Sequence, residues 1–478
     1  MPATFHRAIL IAIALALIAP DGAVRAEPLA GCVAACSNEP EPTLTAPTLV
    51  QPALLSGPNF RVVPEVEVRG YMAHFLIDTT YGPLTADSAQ LLAVRVGEIP
   101  ALETLDRASK TDAFAHALAE RGRKTGAAVV NVFAHPVDTV IGLPAGVVRY
   151  VRKQLDTWTS RAQSVADQTS RHAENRGDPY RAPEGPMTAA RDVPDEAGPR
   201  ATTRNRAWYA RAGSEAARET RRYLKYSQQR REMAKVLGVD PNSTNPILNE
   251  MLDSLAWAAV AGNFSAGAAL GEIAGTAATV ISESGRINQY VLEVEPEQLR
   301  EKLDKRLHKL CSDDASIRSF LRRGAFSDTL RIALIDQLEK LRPQEGCNDL
   351  IELAATTRGE VEARYLVDAL TLITQQLAPD SQGTLLVLGA AVAWRGADAK
   401  LLLPLPVDYL SWSHDLGAFF DQSAFAVAEK SVLIGGEASM MAQREIAARG
   451  WNQVTRAIYA GAPAYAAGSF SPASAGAP

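Results

Sequence analysis

The stretch Ser327 to Leu341, SDTLRIALIDQLEKL, decides our prediction of the fold. Its leucines recur at three- and four-residue spacings, which is typical of a helix that buries one face. The members of this stripe are Leu330, Leu334, Leu338 and Leu341. Comparable stripes occupy 296–310, 314–323, 348–356 and 359–377. Because short amphipathic helices joined by tight turns pack in pairs, the sequence predicts a mainly α protein with a central multi-helix domain at 204–381.

Two smaller modules are predicted to flank this helical domain. Residues 59–157 are predicted as an α+β module, because alternating residues from Val66 onward indicate a hairpin and residues 91–110 follow a helical pattern. Residues 382–461 are predicted as an α/β segment. Its strands are expected at Thr384–Val392, Lys400–Leu403 and Ser431–Ile434, and its helix at Glu437–Arg449.

The remaining segments have the composition of linkers. Residues 27–58 contain six prolines and few large apolar groups, which predicts an extended tether. Residues 158–203 are rich in Arg, Asp, Pro and Gly and lack periodicity, which predicts a flexible linker. Residues 462–478 are rich in Ala, Ser, Gly and Pro, which predicts a disordered tail.

The N-terminus has the pattern of an export signal. A basic start is followed by the apolar run Ile9–Pro20, which is too short to span a bilayer, and small residues precede Glu27. We therefore expect a signal peptide at 1–26 and a periplasmic or secreted protein. The box Leu29–Cys32 leaves an alternative, in which Cys32 is lipidated and the protein is an outer-membrane lipoprotein.

Composition and cysteine content set broad limits. The formal net charge of -5 is small for 478 residues, and nucleic acid is an unlikely partner for an exported chain. Four cysteines fit an oxidising compartment. We expect Cys311 to form a disulfide with Cys347, which would crosslink the helices of the middle domain. We expect Cys32 to pair locally with Cys36.

Signatures of catalysis are missing from the sequence. We find no nucleophile elbow, metalloprotease helix, phosphate loop or dinucleotide fingerprint, and the seven histidines are scattered. No cofactor, metal or catalytic residue is therefore assigned. The segment His74–Thr80 resembles the strand and Asp-Thr-Gly loop of retroviral-type aspartic proteases, but Thr80 replaces the glycine. We interpret Asp78 as a residue of a strand end and turn.

Two features suggest contacts with other molecules. Residues 200–235 are strongly basic and could face anionic lipid or an acidic partner, or simply be solvated. The candidate anion-binding residues are Arg218, Arg221, Arg222, Lys225, Arg230 and Arg231. Leu255–Ile281 is expected to be one long helix with Gly267, Gly271 and Gly275 on one ridge, either buried in the domain or inserted in a membrane.

Two stretches carry a resemblance. Phe60–Leu105 and Arg204–Leu248 resemble uncharacterised exported proteins of proteobacteria. The second includes Arg222–Tyr226, RYLKY, and Leu237–Pro241, LGVDP. The resemblance covers about a fifth of the chain, and it implies export without implying functional residues.

Together these observations favour a non-catalytic envelope protein with a binding or scaffolding role. Its partner would be an envelope protein or an anionic lipid. One alternative is a membrane-active protein that inserts the helix 255–281. The other is a hydrolase with an unrecognised site.

Overall fold

The computed structural model describes residues 38–111, 214–262, 265–274 and 289–466. In this part of the chain 50% of the residues are helical and 19% lie in strands. The strands form sheets of six, two and five strands. The prediction of a mainly α protein is therefore wrong, because both flanking segments build sheets that share the core with the helices.

The N-terminal sheet is built around a central hairpin. Its strands are β1 (Thr43–Thr45), β2 (Ser56–Gly57), β3 (Phe60–Val62), β4 (Glu65–Arg69), β5 (Met72–Thr79) and β6 (Gly82–Ala86). The order is β1-β4-β5-β3-β2, and β6 also pairs with β5. The predicted hairpin is confirmed in β4 and β5, which are antiparallel. Gly70 and Tyr71 both have positive φ, as a tight two-residue hairpin turn requires.

The proline-rich residues 43–57, which were expected to form an extended tether, join this module. Strand β1 pairs with β4, and helix α1 (Ala46–Leu49) follows it with Pro47 in its first turn. Ala46, Leu49 and Val50 are buried in the main core. Proline is compatible with a first helical turn, so proline content alone does not distinguish this structure from a tether.

The described helices of the first and middle parts have the following bounds. They are α2 (Ala89–Ser109), α3 (Ser214–Leu237), α4 (Pro246–Gly262), α5 (Ala266–Ala274), α6 (Gln289–Glu293), α7 (Pro296–Leu307), α8 (Asp314–Arg322), α9 (Asp328–Leu341), α10 (Cys347–Ala355) and α11 (Glu360–Gln376). The predicted stripes of 296–377 are confirmed as α7 to α11. In the described ranges, no helix is both long enough and apolar enough to cross a membrane.

The long helix expected over 255–281 is not formed as predicted. Helix α4 ends at Gly262 and α5 begins at Ala266, so the apolar run is divided within its first third. Ser265 starts the second piece, since its hydroxyl accepts the Ala268 amide and its carbonyl accepts the Ala269 amide. Residues 275–281 lie outside the described part of the chain.

The pairing predicted for Cys311 and Cys347 is supported by geometry. Their Cα atoms are 5.4 Å apart and their sulfur atoms are at bonding distance. Asn348 holds the same junction, because its side-chain oxygen accepts the Ser312 and Asp313 amides at 3.0 and 3.1 Å. Both cysteines are buried against the helices α7 to α11. Cys32 and Cys36 lie outside the described residues.

The C-terminal part contains a mixed parallel and antiparallel sheet, and two short helices lie between its later strands in the sequence. Its elements are β7 (Gly383–Leu388), β8 (Ala391–Gly396), β9 (Leu401–Leu405), β10 (Tyr409–Leu410), α12 (His414–Phe420), β11 (Lys430–Ile434), β12 (Glu437–Ala438), α13 (Met440–Ala448) and β13 (Asn452–Val454). The order is β13-β11-β9-β8-β7, with β9, β11 and β13 parallel. Thr384–Val392, expected as one strand, is a hairpin because Gly389 turns the chain with positive φ.

Two large core clusters organise these elements. The larger one contains side chains of the N-terminal sheet, of α2 to α4 and of the C-terminal sheet. The smaller one joins α7 to α11 with β7 and β8. The three predicted modules therefore share core residues, and a small pocket lies where they meet.

Candidate functional site

A small pocket lies at the junction of α2, α11 and the C-terminal sheet. Its lining includes Gln90 of α2, Asp368 of α11, and Pro406 and Asp408, which directly follow β9. The pocket therefore opens at the carboxyl ends of the parallel strands β9 and β11, where ligands of open α/β sheets commonly bind. Its volume of about 10 Å³ is room for roughly one water molecule. We call it the two-carboxylate pocket.

Asp408 is positioned by a tight crossing of two chain segments. Gly436, after β11, passes so close that an added Cβ would lie 2.0 Å from the Asp408 carbonyl oxygen. The Asp408 side chain is buried, and its Oδ2 accepts the amides of Ala73 and Ala89 at 2.9 and 3.0 Å. Its Oδ1 accepts the hydroxyl of Tyr465 at 2.9 Å. One carboxylate thus joins β5, the start of α2 and the end of the described chain.

Asp368 presents the second carboxylate from the middle of α11. Its Oδ1 accepts the side-chain amide of Gln90 at 3.0 Å. Its Oδ2 lies 3.5 Å from the hydroxyl of Tyr459, at the long limit of a hydrogen bond. The Gln90 amide also donates to the Gly461 carbonyl at 3.1 Å. All four carboxylate oxygens of the pocket therefore have donors from within the chain.

Burial changes the acidity of these groups. Burial raises the pKa of Asp368 to about 7, although the hydrogen bond from Gln90 and the charge of Arg364 both act to lower it. It raises the pKa of Asp408 to about 6, against the hydrogen bonds from Ala73, Tyr465 and Ala89. Removal of a carboxylate from water disfavours the charged form, which is the physical cause in both cases. Both carboxyl groups of the pocket consequently exchange protons near neutral pH.

An ion-pair network borders the pocket. Arg364 donates to Glu360 at 2.8 and 2.5 Å, and Arg95 lies 3.2 Å from Glu98 and 3.4 Å from Glu360. Burial opposes ionisation of Glu360, but Arg364 and Arg95 hold its pKa at about 2. Glu98 also accepts the side-chain amide of Asn245 at 2.9 Å. This network connects α2, α11 and the start of α4.

Two carboxyl groups with raised pKa values in one pocket could in principle perform acid and base chemistry. A catalytic carboxyl must, however, reach the proton that it transfers. Here the donors to both carboxylates come from the chain itself, and the remaining space is that of a water molecule. The arrangement as it stands holds distant segments together and can store a proton at their junction.

The predicted anion-binding residues fall into different environments. Arg230 pairs with Asp253 and donates to the Pro241 carbonyl at 2.7 Å, and Arg231 pairs with Glu295. These two guanidinium groups serve contacts among helices of the chain. Lys225 is exposed on α3. Arg218, Arg221 and Arg222 lie where the structure does not describe side chains.

The three glycines of the predicted ridge are not equivalent. An added Cβ on Gly267 would lie 3.0 Å from Glu232 Cβ, so this glycine allows α5 to approach α3 closely. Gly271 is exposed, and an added Cβ would meet no atom of the described residues within 4 Å. Among the described residues no neighbouring helix packs on Gly271, so its part in a packing ridge stays a prediction. Gly275 lies outside the described residues.

The protease-like segment is a strand end and a turn, as we interpreted it. Asp78 is exposed near the end of β5, opposite Arg61 and Pro83. Thr79 then closes the turn, because its hydroxyl donates to the Gly82 carbonyl at 2.6 Å and accepts the Tyr81 amide at 3.1 Å.

Sequence analysis missed the residues of the two-carboxylate pocket. One signal was available for Asp368, which stands as a single acid inside the apolar run Tyr365–Ile373, YLVDALTLI. A charge on the buried face of a helix usually has a partner or a shifted pKa. Asp408 gives no comparable signal, since its donors Ala73 and Ala89 are backbone amides more than 300 positions away.

Comparison of the chain with protein-family models, curated proteins and solved structures finds no match. Within the described ranges, no group of three or more His, Cys, Asp or Glu side chains is placed to hold a metal ion. Function is therefore inferred below from the geometry of the pocket and its surroundings.

Proposed function

We propose that this chain is an exported envelope protein that binds or scaffolds a partner and catalyses no reaction. The observation that supports the proposal is the use of the pocket carboxylates. Asp368 and Asp408 direct all four side-chain oxygens to donors on α2, β5 and residues 459–465. Groups used in this way fix distant segments in one arrangement, which is what a rigid binding surface requires.

Export and the class of partner form part of the same proposal. The N-terminal signal pattern supports cleavage before Glu27, with lipidation of Cys32 as the alternative. The geometry of Cys311 and Cys347 is compatible with an oxidising compartment. The partner is an envelope protein or an anionic lipid surface. For the lipid, Lys225 is the exposed member of the basic set among those whose side chains are described.

One observation favours a second function, a hydrolase. Asp368 and Asp408 are two carboxyl groups with raised pKa values in one pocket, and pairs of this kind supply the acid and the base of several hydrolases. This function requires that Tyr459 and Tyr465 move away, since both line the pocket and contact its carboxylates.

The variant Asp368→Asn separates the two functions. Asn has the shape of Asp and keeps an acceptor for Gln90, but it cannot exchange a proton near neutral pH. The mature wild-type chain and Asp368→Asn would be compared for crosslinked partners in envelope extract and for rescue of a strain that lacks the protein. The proposal expects equal capture and equal rescue from a variant that unfolds no more easily than wild type.

A folded Asp368→Asn variant that fails to rescue would overturn the proposal in favour of catalysis. A lipid partner would appear as flotation of the purified chain with vesicles containing phosphatidylglycerol. Vesicles of phosphatidylcholine alone provide the control, and Lys225→Ala tests the exposed basic residue. Absence of both protein capture and flotation would also contradict a binding role.

A further inference from the structure

Residues 456–466, which follow β13, cross the molecule as a strap. At its start, the Arg456 amide donates to the Gly436 carbonyl just after β11 at 2.8 Å, and the Ala457 amide donates to the carbonyl of Ile434, the last residue of β11, at 3.0 Å. At its other end, the Ala466 amide donates to the Leu49 carbonyl and the Gln51 amide donates to the Ala464 carbonyl, both at 2.9 Å. We call this segment the C-terminal strap. It links the C-terminal sheet to the N-terminal module and passes over the two-carboxylate pocket.

The strap covers the pocket with two tyrosines. Tyr459 is buried and faces Asp368, and Tyr465 is partly buried and faces Asp408. The Gly461 carbonyl between them accepts the Gln90 amide. Displacement of the strap would therefore remove one donor from each carboxylate and admit water to both.

The two arginines near the pocket pair with glutamates, and the charge of Arg364 also acts on Asp368 by lowering its pKa. Arg364 of α11 is bound to Glu360, and Arg95 of α2 is bound to Glu98 and Glu360. Asp240, from the loop after α3, is a further acid that acts on Arg364. The remaining described polar groups at the pocket are neutral: Gln90 of α2, its N-cap Ser88, the amides of Ala73 and Ala89, Tyr365 of α11, and the strap tyrosines.

We propose that the C-terminal strap is a pH-dependent latch, which stays closed over Asp368 and Asp408 while at least one of them is protonated and opens more often once both are ionised. Two negative charges enclosed in one pocket repel each other and lack hydration. Opening restores the water of both carboxylates. The latch does not depend on the proposed binding role.

The direction follows from proton linkage. The closed strap raises the pKa of both carboxyl groups, whereas solvated carboxyl groups have ordinary values near 4. The closed state thus binds more protons than the open state between about pH 4 and pH 7. Rising pH across this range therefore favours opening of the strap. Above the raised pKa values, a further rise in pH no longer changes the opening equilibrium.

Hydrogen exchange measures the opening at two well-defined amides. Gln51 and Ala466 donate across the contact between strap and N-terminal module, so their exchange requires the strap to detach. Exchange of peptides containing each amide would be followed by mass spectrometry from pH 5 to pH 8 and corrected for the intrinsic pH dependence of exchange. Protection is expected to fall up to about tenfold per pH unit for each carboxyl that ionises, and to level off above pH 7.

Two variants and one reference peptide make the test specific. Asp368→Asn should reduce the slope, because one titrating group is lost. Tyr465→Phe should lower protection at all pH values and keep the slope, because both carboxyls remain. The β7–β8 hairpin, 383–396, should show no comparable change, which separates latch opening from global unfolding. Wild-type protection that is independent of pH, or an unchanged slope in folded Asp368→Asn, would overturn the proposal.

Discussion

Tyr465 donates its hydroxyl to Asp408 at 2.9 Å, and this bond connects the end of the described chain to the segment that leaves β9. On its other oxygen, Asp408 accepts the amides of Ala73 and Ala89. A single buried carboxylate therefore determines how three parts of the chain meet. Loss of any of these donors should weaken the whole junction.

The first prediction concerns this bond. Tyr465→Phe should lower the free energy of unfolding by about 1–2 kcal/mol, because a buried charged acceptor loses one donor. Urea unfolding followed by circular dichroism measures the change. Ile458→Ala, at an 89% exposed position of the C-terminal strap, is the control and should change stability by less than about 0.5 kcal/mol. Equal effects of the two substitutions would contradict the assigned role of Tyr465.

The second prediction is that stability falls as pH rises from 5 to 7. The folded chain holds protons on Asp368 and Asp408 that the unfolded chain has released, so each pH unit costs stability until the raised pKa values are passed. Buried Glu362, whose pKa is raised to about 7 by burial, adds to the same trend. Between pH 5 and pH 7 the loss from Asp368 alone is on the order of 2 kcal/mol if the unfolded pKa is ordinary, because each pH unit between the two pKa values contributes about 1.4 kcal/mol.

Urea unfolding at several pH values measures this trend. Glu360 does not interfere, because its lowered pKa matters only below about pH 4.5, where the unfolded carboxyl titrates. The free energy of unfolding of Asp368→Asn should depend less on pH than that of wild type. The variant should therefore lose less stability than wild type when the pH rises from 5 to 7.5. Stability that increases with pH over this range would contradict the assigned protonation.

The third prediction compares two glycines. Gly436→Ala should destabilise the protein by several kcal/mol or prevent folding, because its Cβ would lie 2.0 Å from the Asp408 carbonyl oxygen and backbone would have to move. Gly271→Ala is the matched control at an exposed position of α5, where an added Cβ meets nothing within 4 Å in the described part of the chain. It should stabilise by about 0.5–1 kcal/mol through helix propensity. Thermal unfolding of both variants measures these changes in stability. A Gly436→Ala variant as stable as wild type would contradict the close approach of Gly436 to the Asp408 carbonyl.

The fourth prediction concerns the two cysteines of the helical part. Non-reducing peptide mapping should recover Cys311 bonded to Cys347. Replacement of both by serine should cost about 3–4 kcal/mol, because the bond closes a loop with a sequence separation of 36. Replacement of Cys32 and Cys36 serves as the comparison. Free thiols at Cys311 and Cys347 in protein purified without reductant would disprove the bond.

The fifth prediction divides the basic stretch by role. Arg230→Ala should destabilise the packing of α3 on α4, because Asp253 and the Pro241 carbonyl lose their partner. Lys225→Ala should leave stability unchanged, since the side chain is exposed. Urea unfolding tests the first effect, and vesicle flotation shows whether Lys225 has any part in lipid contact. Equal stability of both variants would contradict the structural role of Arg230.

The local elements of the helical part could be predicted from the sequence. The stripe Leu330–Leu341 repeats with the helix period, and Ser327 supplies the N-cap by accepting the Leu330 amide at 3.3 Å. The hairpin of β4 and β5 is likewise encoded by alternation and a two-residue turn. The order of the short helices around Cys311 and Cys347 was sufficient to suggest their pairing. The helices and the hairpin depend on contacts between residues that are close in the sequence. The pairing of the two cysteines depends on closing one loop.

Fold class, the division of 255–281 and the pocket were decided only by the tertiary structure. Gln90 and Asp368 are 278 positions apart, and no periodicity specifies that α2 and α11 should meet there. The parallel pairing of β9, β11 and β13 depends equally on which faces become buried together. A carboxylate acquires its pKa and its donors from that burial. The sequence by itself therefore determined where α7 to α11 and the turn between β4 and β5 form, whereas only the packed chain decided which distant backbone amides and hydroxyls surround Asp408.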